Sequence, residues 1–157
     1  MADISHMTET EKKVLPQIAL NPTLFIQMEK KSEEFMRAAI AIVPSLIQHV
    51  SNQSFELRMI AVGKDGMTLQ HIKGVTERIR LAAVKQNGLA IQFIRYPSRQ
   101  VQIAAVRQNY EAYRLIEDPY HEVTEVYADE FNRHKFGLTP VFAPAAAHQN
   151  SVAARAH

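Results

Sequence analysis

Small and branched apolar residues recur along this chain at a fixed interval of 22 positions. The most regular signature is an alanine followed by isoleucine or valine, found at Ala39-Ile40, Ala61-Val62, Ala83-Val84 and Ala105-Val106. A second apolar position follows each alanine at the same distance, at Ile47, Leu69, Ile91 and Tyr113. Such self-similarity predicts a tandem structural repeat. We expect units at 14–35, 36–57, 58–79, 80–101 and 102–123, of which the first is the weakest copy.

Each unit is expected to contain two short helices. In unit 80–101, apolar residues keep i, i+3, i+4 spacing on both sides of Asn87-Gly88, as amphipathic helices do. Asn and Gly both tolerate the left-handed conformation that ends a helix, so this pair predicts a break. Helices of about eight residues do not persist alone. The predicted fold class is therefore all-α, an α-solenoid in which neighbouring units stabilise each other.

The pattern fades after residue 123, and this sets the expected domain boundaries. Residues 124–136 are expected to form a C-terminal capping helix, and residues 137–157 an irregular tail. Residues 1–6 precede a second methionine in a way typical of cloning into an expression vector, and we expect them to be a remnant of it. The predicted helical-repeat domain spans residues 7–136.

Composition places the chain among single soluble domains and removes several chemistries. It has 157 residues, of which 46% are hydrophobic and 22% charged, within the range of one domain. Cysteine is absent, which excludes disulfides, thiolate catalysis, zinc ribbons and iron–sulfur clusters. The longest apolar run, residues 38–43, stops at Pro44, far short of the ~20 residues that span a bilayer. No signal-peptide pattern follows Met7, so we expect a cytoplasmic protein without a membrane partner.

Charge is distributed unevenly along the chain. Residues 71–114 hold eight Lys or Arg against two acids, a balance of +6, whereas residues 115–135 hold two against six, a balance of −4. The first segment predicts a basic strip with Tyr96 at its edge, made of Arg78, Arg80, Lys85, Arg95, Arg99 and Arg107. Such a strip would bind nucleic acid by neutralising phosphates. An acidic patch on a protein partner fits it equally well.

A second candidate surface is a polar row with one residue in each unit, made of Gln48, Gln70, Gln92 and Arg114. Each residue directly follows a core position, so the side chains are expected to form an exposed ladder on the second helices. Solenoids commonly grip an extended partner through one contact in each layer. The alternative interpretation is that glutamine is simply a favourable residue on an exposed helix.

Residues that could carry catalysis or bind a metal are sparse. His121, Glu125 and Asp129 follow i, i+4, i+8 spacing, but such exposed carboxylates usually serve only solvation. His49 and His71 lie one unit apart, roughly 8–10 Å between packed helices, which is too far to share an ion easily. No Walker A, GxSxG, HExxH, GxGxxG or EF-hand pattern occurs. We therefore expect no enzymatic activity, no metal and no cofactor.

Two consecutive segments resemble a known repeat. The strings LAAVKQNGLAIQFIRYPSRQV (81–101) and IAAVRQNYEAYRLIEDPYHEV (103–123) are similar to a short tandem helical repeat of bacteriophage, giant-virus and bacterial proteins, a domain of unknown function. Its consensus resembles LAAVxQNGxAIxYIxxPSxxV. The chain departs from it at Tyr110, where Gly or Pro is usual, and at Gly74-Val75, where a proline would close the unit. The resemblance implies a helical-repeat fold and a viral or mobile-element context, and it brings no catalytic residues.

The sequence therefore predicts a non-enzymatic repeat module that binds another protein. By the resemblance, the leading interpretation is a phage-type accessory protein that binds and modulates a host enzyme or defence protein, for instance as an inhibitor, in the host cytoplasm. The alternative is a nucleic-acid-binding adaptor that uses the basic strip of residues 78–107. A homodimer through the first unit is a further prediction, because Phe25, Met28 and Phe35 cap the stack imperfectly.

Overall fold

A computed structural model describes residues 5–138, and every regular element in that range is a helix. The α-helices of this range are α1 (Glu9–Val14), α2 (Thr23–Gln27), α3 (Glu33–Ile42), α4 (Phe55–Lys64), α5 (Glu77–Gln86), α6 (Arg99–Gln108) and α7 (His121–Lys135). Between them lie the 3₁₀ helices Leu15–Gln17, Pro44–His49, Gly66–His71, Gly88–Phe93 and Tyr110–Leu115. The all-α prediction is confirmed over the described residues. The remnant predicted at 1–6 and the tail predicted at 137–157 lie outside them, except for residues 5, 6, 137 and 138.

The central α-helices begin at equivalent places because each has the same kind of cap. Helices α3, α4, α5 and α6 begin at residues 33, 55, 77 and 99. Before each stands a hydroxyl residue whose oxygen accepts a hydrogen bond from the backbone N–H three residues on: Ser32, Ser54, Thr76 and Ser98. Such a cap satisfies one of the N–H groups that a helix start leaves unpaired. These helix starts lie three residues before the unit boundaries at 36, 58, 80 and 102 that the apolar pattern suggests.

The second helix of each central copy is a 3₁₀ helix rather than an α-helix. Three of these six-residue helices follow an Asp or Asn whose side-chain oxygen accepts from the N–H two residues on, at 2.9–3.0 Å: Asp65, Asn87 and Asn109. This local bond favours a tight turn. Buried residues then fall three apart, as at Leu69 and Ile72, which matches the three residues per turn of a 3₁₀ helix.

The break at Asn87-Gly88 comes from close backbone approach, not from the left-handed conformation that the sequence suggests. Asn87 is extended, with φ −146° and ψ 109°, and Gly88 has no positive φ. A Cβ at Gly88 would overlap the carbonyl oxygen of Ala105 in the next helix, and Gly66 has the same relation to Ala83. Glycine is required because the two backbones leave no room for a side chain.

A glutamine in the following helix completes each of these contacts. The amide oxygen of Gln108 accepts from the N–H of Gly88 at 2.5 Å, and its nitrogen donates to the carbonyl of Gln86 at 3.4 Å. Gln86 makes the same pair of bonds one copy earlier, with the N–H of Gly66 at 2.6 Å and the carbonyl of Lys64 at 3.1 Å. Each amide thus satisfies backbone groups at the end of one helix and the start of the next.

The core between successive α-helices consists of the repeated alanines and the branched residue after each. Each of these side chains is fully buried: Ala39, Ile40, Ala61, Val62, Ala83, Val84, Ala105 and Val106. Packing is between neighbours along the chain, α3 with α4, α4 with α5, α5 with α6, and α6 with α7. The small alanines allow this close approach, and the branched side chains fill the remaining space.

The first copy departs most from the others. Where the later copies have a ten-residue helix, α1 gives way to a 3₁₀ turn at Pro16, which lacks the N–H that an α-helix needs. Phe25 and Phe35 stack with ring centroids 5.9 Å apart, and both are fully buried. They therefore offer no exposed surface for the dimer expected through this unit, and the dimer itself stays a prediction.

A buried carboxylate ties α1 to the start of α3. Glu11, 2% exposed, accepts the backbone N–H of Thr8 at 2.7 Å and that of Ser32 at 2.6 Å. Burial raises the pKa of Glu11, but the hydrogen bonds from Ser32 and Thr8 outweigh it, so the net pKa is lowered. The ionised side chain therefore joins two segments that are far apart in sequence.

An aromatic cluster joins α7 to the last 3₁₀ helix. Tyr110 occupies the position that glycine holds in the two preceding copies, and its ring lies 6.0 Å from Phe131. Tyr113 stacks on Tyr127 with centroids 4.4 Å apart. Bulky rings thus fill the space where the other copies bring two backbones together. Helix α7 begins three residues before the predicted start at 124, and Gly137, with φ 67°, follows its end.

We predict that Gly88→Ala destabilises the protein, because the added methyl group displaces backbone in the next helix. The expected loss is about 1–3 kcal/mol of unfolding free energy. The matched control is Gly63→Ala in α4, where a Cβ meets nothing within 4 Å and a gain of ~0.5–1 kcal/mol is expected. Urea unfolding of both variants measures the difference, and equal effects would contradict the close-approach explanation.

We predict that Glu11→Gln lowers stability at pH 7 by about 1.5–3 kcal/mol, the range for hydrogen bonds to a charged group. Because the folded pKa of Glu11 is lowered, its stabilisation is present above the unfolded pKa and is lost as pH falls through the folded pKa. The difference in stability between wild type and Glu11→Gln should therefore become smaller as the pH is lowered. Thermal unfolding at several pH values measures it.

Glu9→Gln serves as the control on the same helix, since Glu9 is exposed and pairs with Lys12 at the surface. Its expected effect is under ~1 kcal/mol. If the stability difference between wild type and Glu11→Gln does not change with pH, the loss comes from altered packing and not from the lost charge.

Candidate binding surface

The predicted polar row is exposed and regularly placed. Each member occupies the fifth position of a six-residue 3₁₀ helix: Gln48, Gln70, Gln92 and Arg114. These 3₁₀ helices contact one another in chain order. Two of the amides also bond to their own helix, Gln70 to the carbonyl of Met67 at 3.2 Å and Gln92 to that of Leu89 at 3.0 Å. The row is accessible, but two of its four side chains are already hydrogen-bonded within their own helices.

The basic strip is divided between the two ends of the α-helices. Lys85 and Arg107 lie in the last turns of α5 and α6. Arg78 and Arg99 lie in the first turns of the same helices. The seven-residue separation of Arg78 and Lys85 corresponds to about 10 Å along the axis. All four side chains are exposed, two near the starts and two near the ends of these helices.

Several of these cations already have partners. Arg99 lies 2.9 Å from Glu122. A hydrogen bond from the carboxylate's own backbone N–H, together with this guanidinium, lowers the pKa of Glu122. Arg78 lies over the ring of Phe55 at 5.4 Å. These contacts reduce the cationic character that a phosphate backbone would need.

A groove of about 840 Å³ lies where the turn before α6 meets the turn before α7. Four of the large apolar side chains that remain exposed line it: Phe93, Tyr96, Leu115 and Tyr120. Exposed apolar side chains gathered in one concave place are a feature of binding sites. Three further predicted residues line the same groove: Arg80, Gln92 and Arg95. With Tyr96, the groove therefore contains four residues that the sequence predicts, and it adds three exposed apolar residues that the sequence reasoning missed.

Tyr96 has an unfavourable backbone conformation. Its φ is 56°, and one copy earlier the equivalent residue is Gly74, with φ 64°. An L-residue in this region costs roughly 1–2 kcal/mol, which glycine avoids. The ring is 79% exposed, so burial does not offset that cost. It lies 5.2 Å from the guanidinium carbon of Arg95, an exposed contact of about 0.5–1 kcal/mol.

A buried amide fixes the shape of the groove. Gln102, 2% exposed, donates to the carbonyls of Pro97 and Asp118, both at 3.2 Å, and accepts the N–H of Tyr120 at 3.2 Å. It therefore holds the two turns at a fixed separation. The repeat pattern did not indicate this role, because a buried glutamine and an exposed one look alike in it.

Arg80 occupies the position equivalent to Gln102 but does not close the turn beside it. One copy earlier, Arg58 donates to the carbonyls of Lys73 and Gly74 at 2.9 and 2.8 Å. The guanidinium of Arg80 instead lies 3.7 Å from Glu77 and, among the described residues, makes no hydrogen bond to the turn at 95–97. Arg80 thus remains on the wall of the groove.

The two walls of the groove carry opposite charge. Arg80, from α5, and Arg95, from the turn before α6, line one wall, and Glu117 and Asp118 line the other from the turn before α7. Within residues 5–138, no cation lies within ion-pair distance of Glu117 or Asp118. A site with separated charges of both signs and an aromatic lining favours a partner that also carries both signs.

The structure gives no support to the candidate metal sites. In the described part of the chain, no group of three or more His, Cys, Asp or Glu side chains could hold an ion. His121 lies 3.8 Å from Glu125, and both are well exposed. His49 is exposed and His71 half-buried.

Comparison of the chain with protein-family models, with curated proteins and with solved structures finds no significant match. Between residues 5 and 138, no helix has the length and apolar character needed to cross a membrane.

We predict that Tyr96→Gly stabilises the protein or leaves its stability unchanged, because it relieves the left-handed strain while removing an exposed ring. A gain of ~0.5–1 kcal/mol is expected. Tyr96→Ala removes the same ring but keeps the strain, so it should be less stable than Tyr96→Gly. Thermal unfolding compares the two, and an alanine variant as stable as the glycine variant would mean that the turn is unstrained.

Proposed function

We propose that this chain is a non-enzymatic helical-repeat module that binds another protein through the groove beside Tyr96. In this proposal the central copies form an α-solenoid with a period of 22 residues. The starts of α3 to α6, spaced by 22 residues, and the packing of each helix on its neighbour support that architecture.

The observation that carries the proposal is the exposed Tyr96 in a glycine-like conformation. A stability cost without compensating burial argues for a role outside folding, because strained residues cluster at functional sites. Tyrosine is also among the residues that contribute most at protein interfaces. Its neighbours Phe93, Leu115 and Tyr120 extend the same apolar surface.

Nucleic acid is the alternative partner, and the charges favour it less. Glu117 and Asp118 lie in the groove with Tyr96, where they would repel phosphate. Arg99 is paired with Glu122, which reduces its availability. Lys85 and Arg107 are the exposed cations farthest from this acidic wall along their helices, so a nucleic-acid adaptor would depend on them.

The proposed biological context of this function rests on the sequence alone. The likeness of residues 81–123 to the repeat of phage proteins supports an accessory protein that modulates a host enzyme or defence protein in the host cytoplasm. An inhibitor that works by binding needs only an interaction surface such as this groove.

The test is a quantitative pull-down from bacterial lysate with immobilised wild type, Tyr96→Ala and Lys85→Ala, the last as a control away from the groove. We expect at least one protein whose recovery falls about tenfold, ~1.4 kcal/mol of binding free energy, with Tyr96→Ala only. Identical protein profiles for all three baits would overturn the proposal.

The same samples distinguish nucleic acid. Capture of RNA or DNA that falls steeply with salt and is lost in the Arg95/Arg99/Arg107→Glu variant, with no Tyr96-dependent protein, would establish the alternative instead.

A further inference from the structure

We propose that the partner enters the groove as an extended peptide with an acidic and a basic residue about three positions apart and an apolar or proline residue between them. This inference rests on the proposed function and adds the chemistry of the bound segment. It follows from the two charged walls, their separation and the aromatic surface between them.

The charged residues on the two walls of the groove determine where the acidic and the basic residue of the peptide bind. On the side of the turn before α6, the groove is lined by Arg95 of that turn and by Arg80 of α5. Arg80 is partly neutralised by Glu77 at 3.7 Å, and the guanidinium of Arg95 lies over an exposed ring. A carboxylate of the peptide fits this side. On the α7 side, Glu117 and Asp118 have no cationic partner among residues 5–138, and a Lys or Arg of the peptide fits there.

The spacing comes from the packing of the layers. The two turns precede α6 and α7, which pack directly against each other, and packed helices lie 8–10 Å apart. An extended chain advances about 3.3 Å per residue. Side chains that reach opposite walls are therefore about three residues apart, whereas an α-helical segment would cover only ~4.5 Å over the same three residues.

The aromatic side chains of the groove provide the contact for the apolar or proline residue of the peptide. Tyr96, Tyr120 and Phe93 present exposed apolar surface within the groove. Aromatic grooves of this kind suit proline and large apolar side chains held in an extended backbone. Gln102, bonded to both turns, keeps the walls apart before the peptide arrives, which reduces the entropy lost on binding.

Selection from a random heptapeptide display library on purified full-length protein tests this chemistry directly. We expect enrichment of sequences with Asp or Glu and Lys or Arg three or so positions apart around Pro or an apolar residue. For an enriched peptide, measured by fluorescence anisotropy, Tyr96→Ala should weaken binding about tenfold, and Lys85→Ala should leave it unchanged.

Charge reversal supplies the sharper test. In the Glu117→Lys/Asp118→Lys variant, selection should replace the basic residue of the peptide with an acidic one, while the apolar residue is kept. Circular dichroism checks that the variant is folded, and Arg95→Glu supplies the reciprocal change at the acidic residue of the peptide. Enrichment of sequences without the basic residue, or unchanged preferences in both variants, would overturn the inference.

The two proposals fail in different ways. If no peptide is enriched but the lysate pull-down still yields a Tyr96-dependent protein, the groove binds a folded surface and only the peptide inference is wrong. If light scattering shows a dimer that Tyr96→Ala dissociates, the occupant is a second copy of this chain. If neither peptide nor protein depends on Tyr96, both proposals are wrong.

Discussion

Successive layers pack backbone against backbone at Gly66 and Gly88. Each glycine lies so near an alanine carbonyl of the next helix that no Cβ fits, and a glutamine from that helix bonds to its N–H. This geometry fixes both the distance and the orientation of one layer on the next. The helices are too short to be stable separately, so the buried alanines and branched residues depend on this register to meet.

The groove lies beside the final layer, where the close backbone contact at a glycine is no longer present. Tyr110 stands at the glycine position, and α7 meets the 3₁₀ helix before it through aromatic rings. In the same region Gln102 replaces the arginine found at the equivalent position of the two preceding copies and bonds to two turns at once. Departures from the repeat thus coincide with the place where apolar side chains are exposed, which is expected when local rules are broken for function.

The sequence predicted the all-α class and the buried positions of the repeat because alanine and branched residues recur at fixed spacing. It did not predict the 3₁₀ helices, since i, i+3 spacing is shared by both helix types over six residues. It identified Gln92, Arg95 and Tyr96 as exposed. The sequence could not predict that these residues lie beside Leu115 and Tyr120, because their proximity depends on the buried Gln102 amide that holds the two turns together. The residues of the basic strip lie near both ends of α5 and α6, and their use as one binding surface stays a prediction.

The bonds around Asn87-Gly88 also bear on the chemical ageing of the protein. An asparagine followed by glycine is prone to close into a succinimide, since the bare glycine nitrogen can reach the side-chain carbonyl carbon. Here that nitrogen donates to Gln108 and the asparagine oxygen accepts from Leu89, so both reacting groups are held in other bonds. The bond from Gln108 in the next helix therefore protects this linkage against deamidation, and the protection lasts only while the two layers stay packed.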